Sequence, residues 1–433
     1  MMASVILFAL TYVLIASEKV DKTVAAILGA AVAIAGRLIP YDVALQKVDL
    51  HVVFLLMGMM IVVNILGTTG VFEWIAITTA QKARGNSMVL LALLLLVTAF
   101  VSAFLDNVTT VILIAPITIL ITQILEIQTV PFLILEAIFS NIGGTATLVG
   151  DPPNILIGSS SDLTFLDFVV NLTPIVLLIA VATLLVLVLL LRRSLRVSPA
   201  CRQRLMMAQP RLAIIHPGRL KRALPVLGLI LVGFFASHAL KLESSLIALA
   251  GAFLMVLVCR VDLHEAMGKV EWNTILFFIG LFMLIGALEV NGLFEYLGTH
   301  IVAWTSGNLL LTAMAILWFS ALASAIVDNI PLVIAMIPLI KSILPFFAAQ
   351  MGLEASSAAV HHQVAAPLYW ALALGACLGG NGSLIGASAN VVISQIARRN
   401  KYHISFGGFT RYGLPLMLLS IALCSVYLYV RYF

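Results

Sequence analysis

Residues 141–154 read Asn-Ile-Gly-Gly-Thr-Ala-Thr-Leu-Val-Gly-Asp-Pro-Pro-Asn and lie inside an apolar run long enough to cross a membrane. Paired glycines and paired prolines forbid an unbroken helix there, because proline lacks the backbone donor and glycine is costly to order. The pattern returns 236 positions later, at Cys377-Leu-Gly-Gly-Asn-Gly-Ser-Leu-Ile-Gly-Ala-Ser-Ala-Asn390. Whatever the chain folds into must accommodate two broken spans at matching places.

That requirement sits in a chain whose 433 residues are 62% hydrophobic and 10% charged, against roughly 25% charged in a globular protein. Apolar runs near the roughly 20 residues that span about 30 Å of hydrocarbon recur throughout, without the alternation of a barrel strand. An all-α polytopic membrane protein is implied. Met1–Ala16 has no basic residue before it and reads as a first span, not a cleavable signal. The four cysteines have no paired spacing, so neither a metal centre nor a disulfide frame is expected.

The order of spans repeats. Lys47-Val-Asp49 matches Lys269-Val-Glu271, Gly70-Val-Phe-Glu73 matches Gly292-Leu-Phe-Glu295, and Pro116 matches Pro338, all at an offset of 222. The later offset of 236 places an insertion of 14 residues in the polar stretch Met351–Val364. The expected organisation is a first repeat over 1–195, a cytoplasmic linker over 196–222 and a second repeat over 223–433. If each half crosses five times, the halves are inverted. With both termini outside, inside loops hold 19 of the 24 Lys and Arg, a strong positive-inside bias. The net charge of +5 belongs to those loops, nine of the basic residues lying between Arg192 and Arg222, and nucleic acid is not an expected partner.

Before each broken span stand two apolar arms separated by Asp-Asn: Asp106-Asn107, followed by Thr109-Thr110, and Asp328-Asn329, followed by Pro331-Leu332. Each pair of arms is either two full spans with a surface turn or a re-entrant hairpin with a buried tip. Charge-free flanks, the threonines inside the arm and the adjoining break favour the hairpin. A buried tip is demanding, since an unpaired carboxylate at mid-bilayer costs at least roughly 2.5–3.5 kcal/mol. It must take a proton, bind a cation or meet donors. Broken helices supply free carbonyls and helix ends for that purpose, and matching breaks in two halves mark the site of a secondary transporter.

The candidate substrate or ion-binding residues are therefore Asp106, Asn107, Thr109, Thr110, Asn141, Gly143, Gly144, Thr145, Thr147, Asp151 and Asn154 in the first half. In the second they are Asp328, Asn329, Gly379, Gly380, Asn381, Ser383 and Asn390. Proton coupling is expected at Asp106, Asp151, Asp328 and Glu136, with the first half favoured because Asp151-Pro152-Pro153 becomes Ala387-Ser388-Ala389 in the second. The glycines can instead serve close helix packing, and Glu136 can be paired or snorkelling. Cys377 adjoins the second break as a lone thiol, and a small apolar role suits it better than soft-ligand binding. No Ser/His or paired metal-ligand set points to an enzyme, and no cofactor is expected beyond H⁺ or Na⁺ as coupling ion.

At these motifs the chain resembles the ArsB/NhaD permease group of the ion transporter superfamily, through the Asp-Asn tips and the Gly-Gly-x-x-x-Leu-x-Gly-Asp-Pro-Pro-Asn break. The stretch 141–154 is similar to the P protein branch. The resemblance implies two inverted repeats, each with a re-entrant hairpin and a broken transmembrane helix, in the inner membrane of a bacterium. It also implies a scaffold that often dimerises, and arsenite exporters of this kind can pair with a soluble ATPase. Its members move arsenite and antimonite, exchange sodium for protons, or carry dicarboxylates. Dicarboxylate carriers have serine where this chain has Asp106 and Asp328, and two carboxylates repel a dianion. Proton-coupled efflux of arsenite or antimonite is the leading expectation and sodium/proton antiport the alternative.

Overall fold

The protein is described from a computed structural model covering all residues except 17–18, 85, 162, 192–202, 205, 208 and 355–357. The described chain is helical, without strands. The first half contains α1 (Met2–Ala16), α2 (Lys22–Ala35), α3 (Tyr41–Gln46), α4 (Leu50–Gly67), α5 (Val71–Lys82), α6 (Ser87–Ser102), α7 (Asn107–Ile124), α8 (Thr129–Gly144), α9 (Pro152–Ser161) and α10 (Phe165–Leu191). The second contains α11 (Pro217–Leu240), α12 (Ser244–Cys259), α13 (Leu263–Gly268), α14 (Trp272–Val290), α15 (Leu293–Trp304), α16 (Leu309–Ile326), α17 (Asn329–Gln350), α18 (Ala366–Gly379), α19 (Ser388–Arg399) and α20 (Phe406–Tyr432). Among the described residues, nine helical stretches are long and apolar enough to cross a membrane.

Turn chemistry sets the helix starts. Asp21, Asp49, Asn86 and Asn308 accept hydrogen bonds from the first free amides of α2, α4, α6 and α16. Gly70 and Gly292 precede α5 and α15 with φ of 80° and 76°, left-handed values that glycine adopts without strain. The two glycines stand at the offset of 222, as do the starts of α2 and α12, α4 and α14, and α7 and α17. After the insertion, the starts of α9 and α19 are 236 apart. Inside that insertion His361–Ala365 forms a π-helical run leading into α18.

Packing exchanges partners between the halves. Helix α2 packs on α14 while α4 packs on α12, and α7 packs on α19 while α17 packs on α9. At the first pair of crossings a Cβ on Gly58 would come within 2.7 Å of the Ala248 carbonyl carbon, and one on Gly280 within 2.8 Å of that of Ala26. Only hydrogen at these positions lets the backbones meet. Helices α8 and α18 are the most buried elements, and every residue of α18 is inside. Helices α6, α7, α9, α10, α16, α17, α19 and α20 pack against one or both of these two.

The linker differs from its expected extent. Helix α11 opens at Pro217, so 217–222 belongs to a helix, and a 3₁₀ turn at Pro210–Ala213 docks beside α5. There the Ile215 amide donates to the Thr69 carbonyl at 3.0 Å. Arg192, Arg193, Arg196 and Arg202 lie outside the described residues.

Candidate functional site

The helix leaves off at Gly144 and resumes at Pro152, and the same gap opens between Gly379 and Ser388, apart from a 3₁₀ turn at Gly380–Gly382. Exposed carbonyls in a buried gap need donors. Asparagine supplies them in both halves. The Asn154 amide donates to the Thr145 and Thr147 carbonyls at 3.1 and 2.8 Å. Asn390 donates to those of Gly380 and Ser383 at 2.8 and 2.9 Å. The Thr147 and Ser383 hydroxyls donate across to the Ala103 and Ala325 carbonyls, tying each break to the end of its first arm. The Thr145 hydroxyl instead donates within α8, to the Asn141 carbonyl at 2.7 Å.

The arms lock on the same way. Ser102 Oγ donates to the Ser140 carbonyl and Ser324 Oγ to that of Ala376, both at 2.7 Å. Gly143 and Gly379 lie where α6 and α16 come closest: a Cβ on either would collide with backbone at Ala99 or Ala321. Gly144 and Gly380 similarly face the Gly150 and Gly386 carbonyls. Gly143 and Gly379 thus let the first arm of each half approach its break, while Gly144 and Gly380 let each break close on itself.

Between the breaks the amides meet. Asn107 donates to Asn141 Oδ1 at 3.0 Å, and the Asn141 amide donates to Asn381 Oδ1 at 2.9 Å and Asn390 Oδ1 at 3.1 Å. Cys377, the counterpart of Asn141, donates its thiol to Asn154 Oδ1 at 3.5 Å. Asn329 reaches Asp151 Oδ1 at 3.5 Å. All these side chains are 0–3% exposed. Among the described residues, Asp151 Oδ2 and Asn381 Nδ2 have no hydrogen-bond partner.

The two tip aspartates stand at the edge of this cluster, and they differ. Asp106 caps α7, accepting from the Thr109 amide at 2.9 Å and from the Thr109 hydroxyl. Asp328 is 18% exposed and pairs with Lys22 at 3.4 Å, while the Ser388 hydroxyl donates to it at 3.1 Å. Thr110 is buried with its hydroxyl unpartnered among the described residues. Glu136 stands apart, five residues and so about 7.5 Å before Asn141 along α8. It accepts from Thr118 Oγ1 at 3.1 Å, and its Oε2 has no partner among the described residues. Sequence reasoning missed Lys22 and Ser388 and set Cys377 aside. The available signal was the departure from the repeat, since their counterparts are Ser244, Pro152 and Asn141.

Interrupted helices whose freed carbonyls and amides converge inside a bundle of membrane-spanning helices define a multi-pass membrane transporter. Residues 12–375 match the CitMHS family, described as citrate transporter, and the chain belongs to that family. It is 43% identical over 99% of its length to an uncharacterized transporter of Mycobacterium tuberculosis, covering 98% of that protein. It is 33% identical to the human P protein over 97% of its own length and 59% of that protein's. Its fold is similar to the YdaH transporter of Alcanivorax borkumensis, with a TM-score of 0.59, 15% identity, and 89% and 86% of the two chains covered.

Proposed function

We propose that this transporter moves a small polar solute in exchange for protons by alternating access, the solute binding where the two breaks meet and Asp151 carrying the proton. The observation that carries the reading is the Asp151 carboxyl, 1% exposed, with one oxygen 3.5 Å from the Asn329 amide and the other unpartnered among the described residues. Such an oxygen must take a proton, a cation or a donor from the solute. The broken helices and exchanged contacts support a pair of inverted repeats with the arms as re-entrant hairpins. The bias of basic loops supports both termini outside the plasma membrane of a bacterium.

The balance of groups speaks to the cargo. Asparagines offer donors and acceptors together, and among the described residues no lysine or arginine bonds to the amide cluster itself. That suits a neutral trihydroxy acid, As(OH)₃ or Sb(OH)₃, whose hydroxyls donate to Asp151 and to amide oxygens. Sodium would use the carboxylates directly. Citrate, which the family description names, must bring cations to sit among three carboxylates.

The test uses inverted vesicles containing the protein and loaded with a pH-sensitive dye. As(OH)₃, Sb(OH)₃, citrate and Na⁺ are added in turn. Proton movement on adding the trihydroxy acids is the expected result. Movement with Na⁺ alone or citrate alone replaces the cargo and keeps the coupling; tracer flux of any of them without proton movement refutes the coupling.

A further inference from the structure

Asp106 and Asp328 occupy the same place in the repeat and have exchanged their partners. Asp106 turns back onto its own helix through Thr109. The counterpart of Thr109 is Pro331, which has neither N–H nor hydroxyl to donate. Among the described residues, Asp328 keeps one contact from its own helix, the Ile330 amide at 3.4 Å. Its other oxygen faces outward, to Lys22 Nζ at 3.4 Å and Ser388 Oγ at 3.1 Å. Lys22 Nζ also lies 3.4 Å from Ser388 Oγ and 5.0 Å from the Phe277 ring centroid, a cation–π distance. Each of these groups differs from its counterpart: Lys22 replaces serine, Ser388 replaces proline and Phe277 replaces leucine. Lys22, Asp328 and Ser388 border a cleft of about 420 Å³, onto which Tyr12, Asp21 and Gln395 also open.

A carboxylate left with one long contact from its own helix, beside a hydroxyl and an ammonium on a flexible stem, has the oxygen donors of a cation site with a cation of the chain against them. We propose that Asp328 and the Ser388 hydroxyl form a monovalent-cation site, for Na⁺ or a proton, and that Lys22 is its tethered occupant, displaced when a free cation binds. Lys22 opens α2, which is packed tightly on α14 at Ala26 and Gly280. The ion pair therefore fastens the second tip and the start of α19 to that helix pair, and cation binding unfastens them. The site's part in transport rests on the carrier reading above; its occupancy by a cation does not.

The test is made on the full-length protein in lipid nanodiscs, following the apparent unfolding midpoint of wild type, K22Q, K22R and K22Q/D328N. A ligand that binds only the folded state raises the midpoint with its concentration. Across an about 100-fold rise in Na⁺, with choline holding ionic strength constant, K22Q is expected to gain stability while wild type and K22R change little. A parallel titration toward lower pH reads the proton. The other titratable groups near Lys22 and Asp328, namely Tyr12, Asp21, Asp151 and Glu271, remain in K22Q/D328N, which is expected to lose the response. A response to Na⁺ identifies a sodium site, and a response to pH alone a proton site. No response of K22Q to either, or an equal response in K22Q/D328N, overturns the proposal. Failure of every vesicle flux would refute the carrier reading and leave these titrations unaffected.

Discussion

Gly143→Ala adds a single methyl group, and the structure sets its cost. The new Cβ would lie against the carbonyl oxygen, Cα and carbonyl carbon of Ala99, all backbone atoms that no side-chain rotation can clear. Carbon atoms pack at about 3.5–4.0 Å, so α6 must withdraw by about 1 Å. That movement stretches the Ser102–Ser140 and Asn107–Asn141 hydrogen bonds, now 2.7 and 3.0 Å, beyond useful length. Overpacking costs about 1–3 kcal/mol and each lost buried hydrogen bond about 1 kcal/mol, for a total of about 3–5 kcal/mol. At about 2 °C per kcal/mol the apparent midpoint falls by about 6–10 °C. Gly228→Ala is the control: nothing lies within 4 Å of a Cβ there, and alanine in a helix interior gains about 0.5–1 kcal/mol. The assay heats both purified proteins and measures the fraction still monodisperse on size exclusion. If Gly143→Ala matches Gly228→Ala in midpoint and in transport, the arm does not press on the break as described.

Asp151→Asn preserves shape and removes the ionisable group, so it is expected to fold and to lose substrate-driven proton movement by at least about 100-fold (about 2.7 kcal/mol); undiminished movement in the dye assay would take the proton away from this residue. Asn390→Ala leaves the Gly380 and Ser383 carbonyls without their donor, at a cost of about 2–3 kcal/mol read as a lower midpoint. Cys377→Ala deletes the thiol's weak contacts with Asn154, Asp151 and Thr145 and should cost less than Asn390→Ala while keeping flux; loss of As(OH)₃ flux with Na⁺ flux intact would make the thiol a ligand. Gly70→Ala meets a φ of 80° and the Ala213 carbonyl, so the linker should lift off α5 and trypsin should cut faster at Arg211.

Much of the helical plan is local and so was legible. Gly-Gly and Pro-Pro mark the breaks, Gly70 and Gly292 precede α5 and α15, and the offsets of 222 and 236 align the halves. The α11 start at Pro217 was hidden because Arg219, Lys221 and Arg222 resemble a solvated loop, although proline in the first turn suits a helix start. In the site, the asparagines were visible as polar residues in an apolar setting. Their partners were not: Asn141 meets Asn390 across 249 residues, and Lys22 meets Asp328 across 306.

The sequence alone determined that this chain is a set of apolar helices with a polar break in each half, because solvation, capping and helix interruption act within a few residues. Only the tertiary structure decided that Asp151 has an oxygen without a partner among the described residues, that Cys377 joins the amide cluster, and that Asp106 caps its own helix while Asp328 takes a lysine. Hydrogen-bond partners inside a bundle depend on which helix faces come within about 3 Å, and the packing of distant segments sets that distance.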